Sequence, residues 1–535
     1  MLFHDPAITL TLTRASNSPA QAPRINDPRG LIFFMKCAIV AGYKSLIVDK
    51  AIMLNLEQKK PIQPEVISAI FSIVFLTAFI MVNFLAGFVL PLYLLAAGVV
   101  FILTVAYPAS GLFVLVFLTM IFERFFTLAP LVIGKAEYKI FLPDIIILGM
   151  LLGLFFKYFR KDGKSSRKIQ AADIILATFM GLNILYYFLS VYIFNSDAYL
   201  SFSSLKNYVF YGLLYFLTYL AIDNRERLKY FFKFYFTGAV LILGFVAFGI
   251  FNGEGLWTEF TPLSTEGVRI LAFPHGLYLS LIFIPILLFG IFRRKRYLFF
   301  LELFFLVGII GTMMRHLWVA LMLAFGAVYY FLKKEQRTAI RKLIGKIFFS
   351  FAIFGLLFFY LALMSPQSKL NDLFSGVGQA LSQRGISIAN ANQDDSFIWR
   401  TIVWKSVWEK YQKNLIFGIG TGQVVSIENG TYHAFVEVRN AHNSFLAILV
   451  QFGILGFGLF CAFVWMHLAM LIRADDFSYN FYKLALFSVL VIYLVAFAFQ
   501  PYLETNLLSM FFWIGLGLIR SMQKEGKNYE NFGDK

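Results

Sequence analysis

From residue 66 onward the chain is a succession of apolar runs, and no other feature limits its possible folds more strongly. About 14 runs follow one another, and most have about 17 residues or more, close to the length with which an α-helix crosses a bilayer. The runs are residues 66–84, 86–106, 109–126, 142–158, 172–194, 207–222, 234–251, 271–292, 297–314, 316–332, 347–364, 444–472, 484–500 and 507–519. They predict an all-α protein, a polytopic transmembrane bundle of 12–14 helices.

Composition excludes the other broad classes of protein. Only 14% of the 535 residues are charged and 59% are hydrophobic, whereas an ordinary soluble domain is about a quarter charged. That apolar content also excludes intrinsic disorder for the chain as a whole. The two cysteines, Cys37 and Cys461, are far apart in apolar surroundings, so they imply neither a disulfide framework nor a cysteine metal site.

The net charge of +17 is concentrated in short segments between apolar runs, such as 157–168, 225–233, 293–296 and 333–346. This pattern is typical of the cytoplasmic loops of an inner-membrane protein and not of a nucleic-acid-binding surface. The resulting topology predicts a cytoplasmic or disordered segment 1–64, transmembrane helices in 65–364, a periplasmic loop 365–443, further transmembrane helices in 444–520 and a cytoplasmic tail 521–535. We expect the chemistry in the long loop, because loops of that length are usually functional.

His442 stands where the long loop enters the next apolar run. A helix N-terminus there lowers the pKa of an imidazole, and a neutral imidazole accepts protons. Asn443 and Ser444 are residues that cap helices well. The residues alone leave two interpretations of His442 open, a general base or a structural cap.

Arg269 and Arg315 lie at predicted outer helix boundaries. Arg315 interrupts about 35 mostly apolar residues, where a charge is costly and usually has a partner. Arginine binds phosphate through a planar pair of donors. The alternative is that Arg315 extends its charged end to the membrane surface.

Aromatic and basic residues alternate across residues 396–414 of the long loop. This pattern predicts an amphipathic helix on the outer surface of the bilayer. One face of the predicted helix consists of Arg400, Trp404, Val407, Trp408 and Tyr411. Tryptophan rings stack well on sugars, but a helix that only packs the loop onto the bundle fits equally well.

Signals for a metal or a nucleotide are weak. The sequence has no His-Glu-x-x-His motif, and the adjacent pair Asp394 and Asp395 lacks a spaced third carboxylate. The glycine-rich segment 417–423 has no P-loop lysine, and we expect it to end the preceding helix. We therefore predict no metal and no cofactor.

Taken in order, several motifs resemble the bacterial O-antigen ligase and polymerase family. The motifs are Arg400-x-x-x-Trp404, Phe417-Gly418-Ile419-Gly420, Ala441-His442-Asn443-Ser444-Phe445-Leu446 and Gln451-Phe452-Gly453-Ile454-Leu455-Gly456. Arg315 followed by Trp318 resembles the family's Ser-Arg segment, with Met314 in place of Ser. Arg269 with Phe273-Pro274-His275 resembles an earlier segment, with His275 in place of Asn. The resemblance covers roughly residues 269–519.

The resemblance implies a GT-C-like glycosyltransferase that uses an undecaprenyl-diphosphate-linked glycan at the periplasmic face of the inner membrane. It implies that Arg269 and Arg315 neutralise the donor diphosphate without a metal, and that His442 is the general base of an inverting transfer. Arg400, Trp404 and Asn443 are then expected to bind substrate. Membrane lipid is a further partner, and nucleic acid is not.

Three functions remain open at this point. A ligase joins the glycan to lipid A–core, whereas a polymerase joins it to another polyprenyl-linked glycan as the growing polysaccharide, and the motifs do not separate the two. A polysaccharide transporter or flippase would instead predict inverted repeats and paired charges inside the membrane. The sequence shows neither of these features.

Overall fold

The computed structural model describes residues 63–122, 131–133, 138–160, 168–252, 273–293, 298–364, 395–429, 432–478 and 480–523, with residues 378, 382, 385 and 386 between them. The predicted segment 1–64 therefore lies almost wholly outside the described residues. Arg269, most of the long loop before residue 395 and the tail beyond residue 523 also lie outside them.

The described residues are predominantly helical, and each of the apolar runs forms a helix, so the predicted all-α polytopic fold is confirmed. The first helices are α1 (Pro64–Ala86), α2 (Leu90–Ala106), α3 (Pro108–Phe122), α4 (Leu142–Arg160), α5 (Ala171–Tyr192), α6 (Ala198–Leu205), α7 (Leu213–Ala221) and α8 (Arg225–Asn252). The later helices are α9 (Phe273–Arg293), α10 (Leu298–Gly311), α11 (Arg315–Phe331), α12 (Lys334–Met364), α13 (Asp395–Tyr411), α14 (Ser444–Ile472), α15 (Phe481–Phe497) and α16 (Asn506–Met522).

Five helices in the described ranges are long and apolar enough to cross a membrane. They contain residues Pro64–Asn83, Leu142–Phe159, Ala171–Tyr192, Pro274–Arg293 and Ser444–Ile472. Six further apolar helices of 10–17 residues pack among them. Exposed Leu, Ile and Phe side chains on α1, α4 and α5 fit a surface that faces lipid rather than water. The chain is a multi-pass membrane protein.

The ends of the helices are joined by polar contacts at both ends of the bundle. At one end Arg520 donates to Asp173 at 2.9 Å, and Lys157 lies 3.2 Å from Asp223. The segments around these contacts are those whose basic residues predict a cytoplasmic side. At the other end, which we call the loop end, residues 395–443 lie beside Ser196 and the turn 498–505. The side of the membrane on which each end lies stays a prediction.

Two antiparallel hairpins were not predicted. Strands β1 (Leu131–Ile133) and β2 (Tyr138–Ile140) pair ahead of α4, and strands β3 (Val424–Asn429) and β4 (Tyr432–Glu437) pair within the long loop. Strands this short give a weak signal, because their alternation covers only a few residues. The hairpin β3–β4 gives the loop a small core of its own.

That small core determines which face of α13 is buried. Val403, Val407 and Tyr411 are buried and pack with Ile427 of the hairpin, whereas Trp408 is 45% exposed. A helix is therefore present over most of residues 396–414, whereas its place on the outer surface of the bilayer stays a prediction. Trp408 does not share the buried face of Val407 and Tyr411, although the spacing predicted one common face. The face is set by packing on the hairpin, which the pattern of α13 alone does not reveal.

The glycine-rich segment docks on α14 instead of ending α13, which already stops at Tyr411. Gly418 has φ +74°, and a Cβ atom there would lie 2.6 Å from the backbone nitrogen of Gly453. Gly453 itself has φ +67° and interrupts the helical geometry of α14. Two family-like motifs thus contact each other through backbone, with the amide of Ile419 donating to the Val450 carbonyl at 2.8 Å. Only glycine tolerates such an approach and such a φ value.

Candidate functional site

His442 lies immediately before α14, as predicted. Asn443 is the N-cap residue, and its side-chain oxygen accepts a hydrogen bond from the backbone amide of Leu446 at 3.0 Å. His442 has φ 53°, a left-handed value that few residues other than glycine adopt. Such a conformation costs about 1–3 kcal/mol and persists only where neighbouring structure holds it. The backbone therefore places the imidazole in a strained, fixed position.

Burial and two neighbouring residues determine the pKa of the His442 imidazole. Burial lowers the pKa of His442, and the positive charge of Arg400 lowers it further, whereas a hydrogen bond with Gln500 raises it. The predicted direction agrees, and burial is the largest cause of the lowered pKa. The net effect keeps the imidazole neutral near neutral pH and able to accept a proton.

Arg400 is brought to the site by α13, which lies across the start of α14. Its charge acts on His442 and also on Tyr502, a buried residue of the turn 498–505 whose pKa burial raises and Arg400 opposes. The structure thus brings Arg400 and His442 together, although 41 other residues separate them in the sequence. A cation within electrostatic reach of a neutral base is an arrangement that suits an anionic substrate.

Trp404 anchors the segment that precedes His442. Its indole N–H donates to the carbonyl of Ala441 at 2.7 Å, and the side chain is half-buried. This contact supports the packing interpretation of the α13 aromatic residues, and it fixes the backbone next to the histidine. The side-chain oxygen of Asn443 is likewise engaged as a helix cap. Sugar binding by Trp404 and Asn443 stays a prediction.

Arg315 begins α11 after a second strained residue. Met313 has φ 56°, so two of the three described non-glycine residues with positive φ lie in the Arg315 and His442 segments. Arg315 is half-buried, and the next residue, His316, is buried with its Nε2 atom 2.6 Å from the Tyr502 hydroxyl. Backbone strain concentrated in this way is characteristic of functional sites.

Arg269 cannot be placed, because it falls between the described residues 252 and 273. Its role with the diphosphate stays a prediction. His275, from the same family-like segment, is buried in α9 with Nε2 3.4 Å from the Ile121 carbonyl.

Sequence reasoning missed the turn 498–505, which joins α15 to α16 at the loop end. Gln500 contacts Nδ1 of His442 at 3.1 Å, Tyr502 contacts His316, and Glu504 accepts a hydrogen bond from Ser444 at 2.6 Å. Three polar side chains in one short segment between apolar runs were a usable signal. It was overlooked because the apolar run was extended to residue 500.

Glu504 anchors this turn to the bundle. It is 5% exposed and accepts hydrogen bonds from Ser444 and from the Tyr208 hydroxyl, while its carbonyl accepts from Asn207 at 2.5 Å. Burial raises the pKa of the Glu504 carboxyl to about 7, although these hydrogen bonds oppose the rise. The carboxyl therefore gains or loses a proton near neutral pH.

No group of three or more His, Cys, Asp or Glu side chains is arranged to hold a metal ion in the part of the chain that the structure describes. The polar groups at the site are instead two arginines, two histidines and the side chains of the turn 498–505. Such groups suit the binding of an anion and the transfer of a proton.

Comparison with known proteins agrees with the motifs. A family model described as O-Antigen ligase matches residues 299–461, which is less than a third of the chain. The match runs from α10 into α14 and includes Arg315, Arg400, Trp404 and His442. A search of the curated proteins finds no match. Residues 299–461, which hold most of this site, are therefore similar to the O-antigen ligase family.

Proposed function

We propose that this protein transfers a glycan from undecaprenyl diphosphate to an acceptor hydroxyl at the periplasmic face of the inner membrane. The observation that supports it most is a buried, neutral and strained His442 ahead of α14, within electrostatic reach of the cation of Arg400. Both residues lie in the stretch that matches the O-antigen ligase family model. The proposed acceptor is lipid A–core, as the resemblance of the motifs to O-antigen ligases implies.

In the proposed reaction the acceptor oxygen attacks the anomeric carbon of the donor sugar. His442 removes the proton of that hydroxyl, and the bond between the anomeric carbon and the diphosphate oxygen breaks, with the electron pair leaving on the diphosphate. A single displacement of this kind inverts the anomeric configuration. General-base catalysis of this kind typically contributes about 10²–10⁴-fold in rate.

The leaving diphosphate needs positive charge, and the proposal gives that role to Arg315 and Arg269 without a metal. Arg315 sits at the start of α11, which His316 and Tyr502 connect to the turn beside His442. Arginine suits this role because its guanidinium pairs two donors with phosphate oxygens. A lipid-linked donor also fits a site at the end of a bundle of apolar helices, since its polyprenyl chain can remain in the membrane.

The glycan phenotype of a deletion strain tests the acceptor. For a ligase we expect lipid A–core without polymer and an accumulation of free lipid-linked polymer. A core that carries one repeat unit would identify a polymerase instead. The purified protein can also be assayed in proteoliposomes with donor and acceptor both on the side of the membrane that the loop end faces. Normal glycan transfer under these conditions would exclude a transporter.

The membrane side is tested by labelling. In a variant without Cys37 and Cys461, a cysteine at the exposed Ser426 of β3 should react with an impermeant thiol reagent in intact spheroplasts. Asn480 lies between α14 and α15, at the end of the bundle opposite to the loop end. A cysteine at this position should react only after lysis. The opposite pattern would place the site on the cytoplasmic side.

A further inference from the structure

Gln500 is placed to control which nitrogen of His442 carries the proton. Its side-chain oxygen lies 3.1 Å from Nδ1 of His442, across 58 residues of sequence. An amide oxygen can only accept a hydrogen bond, so Nδ1 carries the hydrogen in this contact. Nε2 then has the free electron pair, and no described residue forms a hydrogen bond with Nε2.

The position of Gln500 is itself fixed from several directions. Its side chain is buried, with 8% exposed, and its backbone amide donates to the Ala496 carbonyl at 3.0 Å. Its carbonyl oxygen lies 3.2 Å from the Ser444 hydroxyl, whose single hydrogen is shared with the anchored Glu504, 2.6 Å away. The same hydroxyl accepts the amide of Leu503 at 3.3 Å. A partner held in this way is preorganised and does not rearrange when the base works.

We propose that Gln500 is a positioning residue that holds His442 in the Nδ1-protonated tautomer, so that Nε2 is the atom that takes the acceptor's proton. The inference rests on the proposed function and adds to it which nitrogen reacts and which residue selects it. Fixing the tautomer matters because a triad histidine in the wrong tautomer loses about 10⁴-fold in rate.

Two variants separate this role from simple packing. Gln500→Leu removes the acceptor, and we expect turnover to fall by roughly 10–100-fold, as when a partner that orients a histidine is removed elsewhere. The Michaelis constant for the donor should stay unchanged. The hydrogen bond from Gln500 raises the pKa of His442, so its removal should lower that pKa. The acid limb of the pH–rate profile should therefore move to lower pH.

Gln500→Glu keeps an acceptor at Nδ1 and adds a negative charge. We expect turnover at high pH to recover to near wild type, with the acid limb moved upward by about 1–3 pH units, the effect of a neighbouring opposite charge. Gln412→Leu, the same chemical change at an exposed position at the end of α13, is the matched control. Thermal unfolding in detergent confirms that each variant is folded.

Wild-type turnover and an unmoved acid limb in Gln500→Leu would overturn the inference. Equal losses in the Leu and Glu variants with unmoved limbs would also overturn it, since they would show a role only in packing the turn. His442→Gln, assayed alongside, separates the failure of the base mechanism from the failure of the tautomer inference. If that variant is active, the base mechanism fails, whereas if it is inactive and Gln500→Leu is normal, only the tautomer inference fails.

Discussion

The Nε2 atom of His316 lies 2.6 Å from the hydroxyl of Tyr502. This contact ties the helix that begins at Arg315 to the turn 498–505, which also holds His442 through Gln500. The residues proposed to neutralise the diphosphate and to remove the proton are therefore connected by one continuous set of contacts. Their relative position depends on a turn outside the matched family region.

Tyr502→Phe tests this connection. We expect both Tyr502→Phe and His316→Phe to lower stability and turnover, because each leaves a buried polar group without this partner. The double variant should lose less than the sum, with a coupling of about 0.5–3 kcal/mol in thermal unfolding. Strictly additive losses would show that the two side chains do not cooperate.

Arg315→Lys tests the contact with phosphate. Lysine keeps the charge but loses the paired donors, so we expect most of the turnover to be lost while the protein still inserts and accumulates. Arg341→Lys, at an exposed position of α12, should behave as wild type. Near-normal turnover in Arg315→Lys would show that Arg315 only places its charge at the membrane surface.

Arg400→Met tests the electrostatic effect on the base. The charge of Arg400 lowers the pKa of His442, although burial is the larger cause. A base works only when it is unprotonated, so a raised pKa moves the acid limb of the pH–rate profile to higher pH. We expect that shift in Arg400→Met and its absence in Arg400→Lys. If the acid limb of the pH–rate profile does not move in either variant, Arg400 does not affect the pKa of His442.

The buried ion pair between Lys206 and Asp144 makes a prediction about stability. Both side chains are at most 7% exposed. Lys206→Met should cost about 3–5 kcal/mol, because it leaves Asp144 buried without its cation, and adding Asp144→Leu should restore most of the loss. Lys157→Met breaks the more exposed pair with Asp223 and should cost only about 0–1 kcal/mol. Equal losses in the two single variants would contradict this account.

The sequence predicted the helices well, because a long apolar run is a local signal. The run 444–472 coincides with α14, whereas α12 begins at Lys334, 13 residues before the predicted run at residue 347. The first part of α12 is charged, and hydropathy does not detect charged helical turns. The run 207–222 begins within a π-helical turn at Lys206–Phe210, which precedes α7, and periodicity does not reveal this detail.

At the site, the sequence predicted the features that depend only on residues adjacent in the chain. Asn443 caps α14 as expected, because capping needs only the next few backbone amides. Gln500 and Tyr502 were missed, because their contacts join segments far apart in the chain. Likewise the sequence does not reveal that Gly453 interrupts α14 where the glycine-rich segment docks, because that contact joins residues far apart in the chain.

The turnover of His442→Gln tests the central claim most directly. Glutamine keeps a hydrogen-bonding side chain of similar reach but cannot take the proton. In proteoliposomes with donor and acceptor we expect turnover to fall by roughly 10²–10⁴-fold, with donor binding largely retained. Any residual activity should lack the acid limb of the wild-type profile. A His442→Gln enzyme with near wild-type turnover would contradict the assignment of His442 as the base.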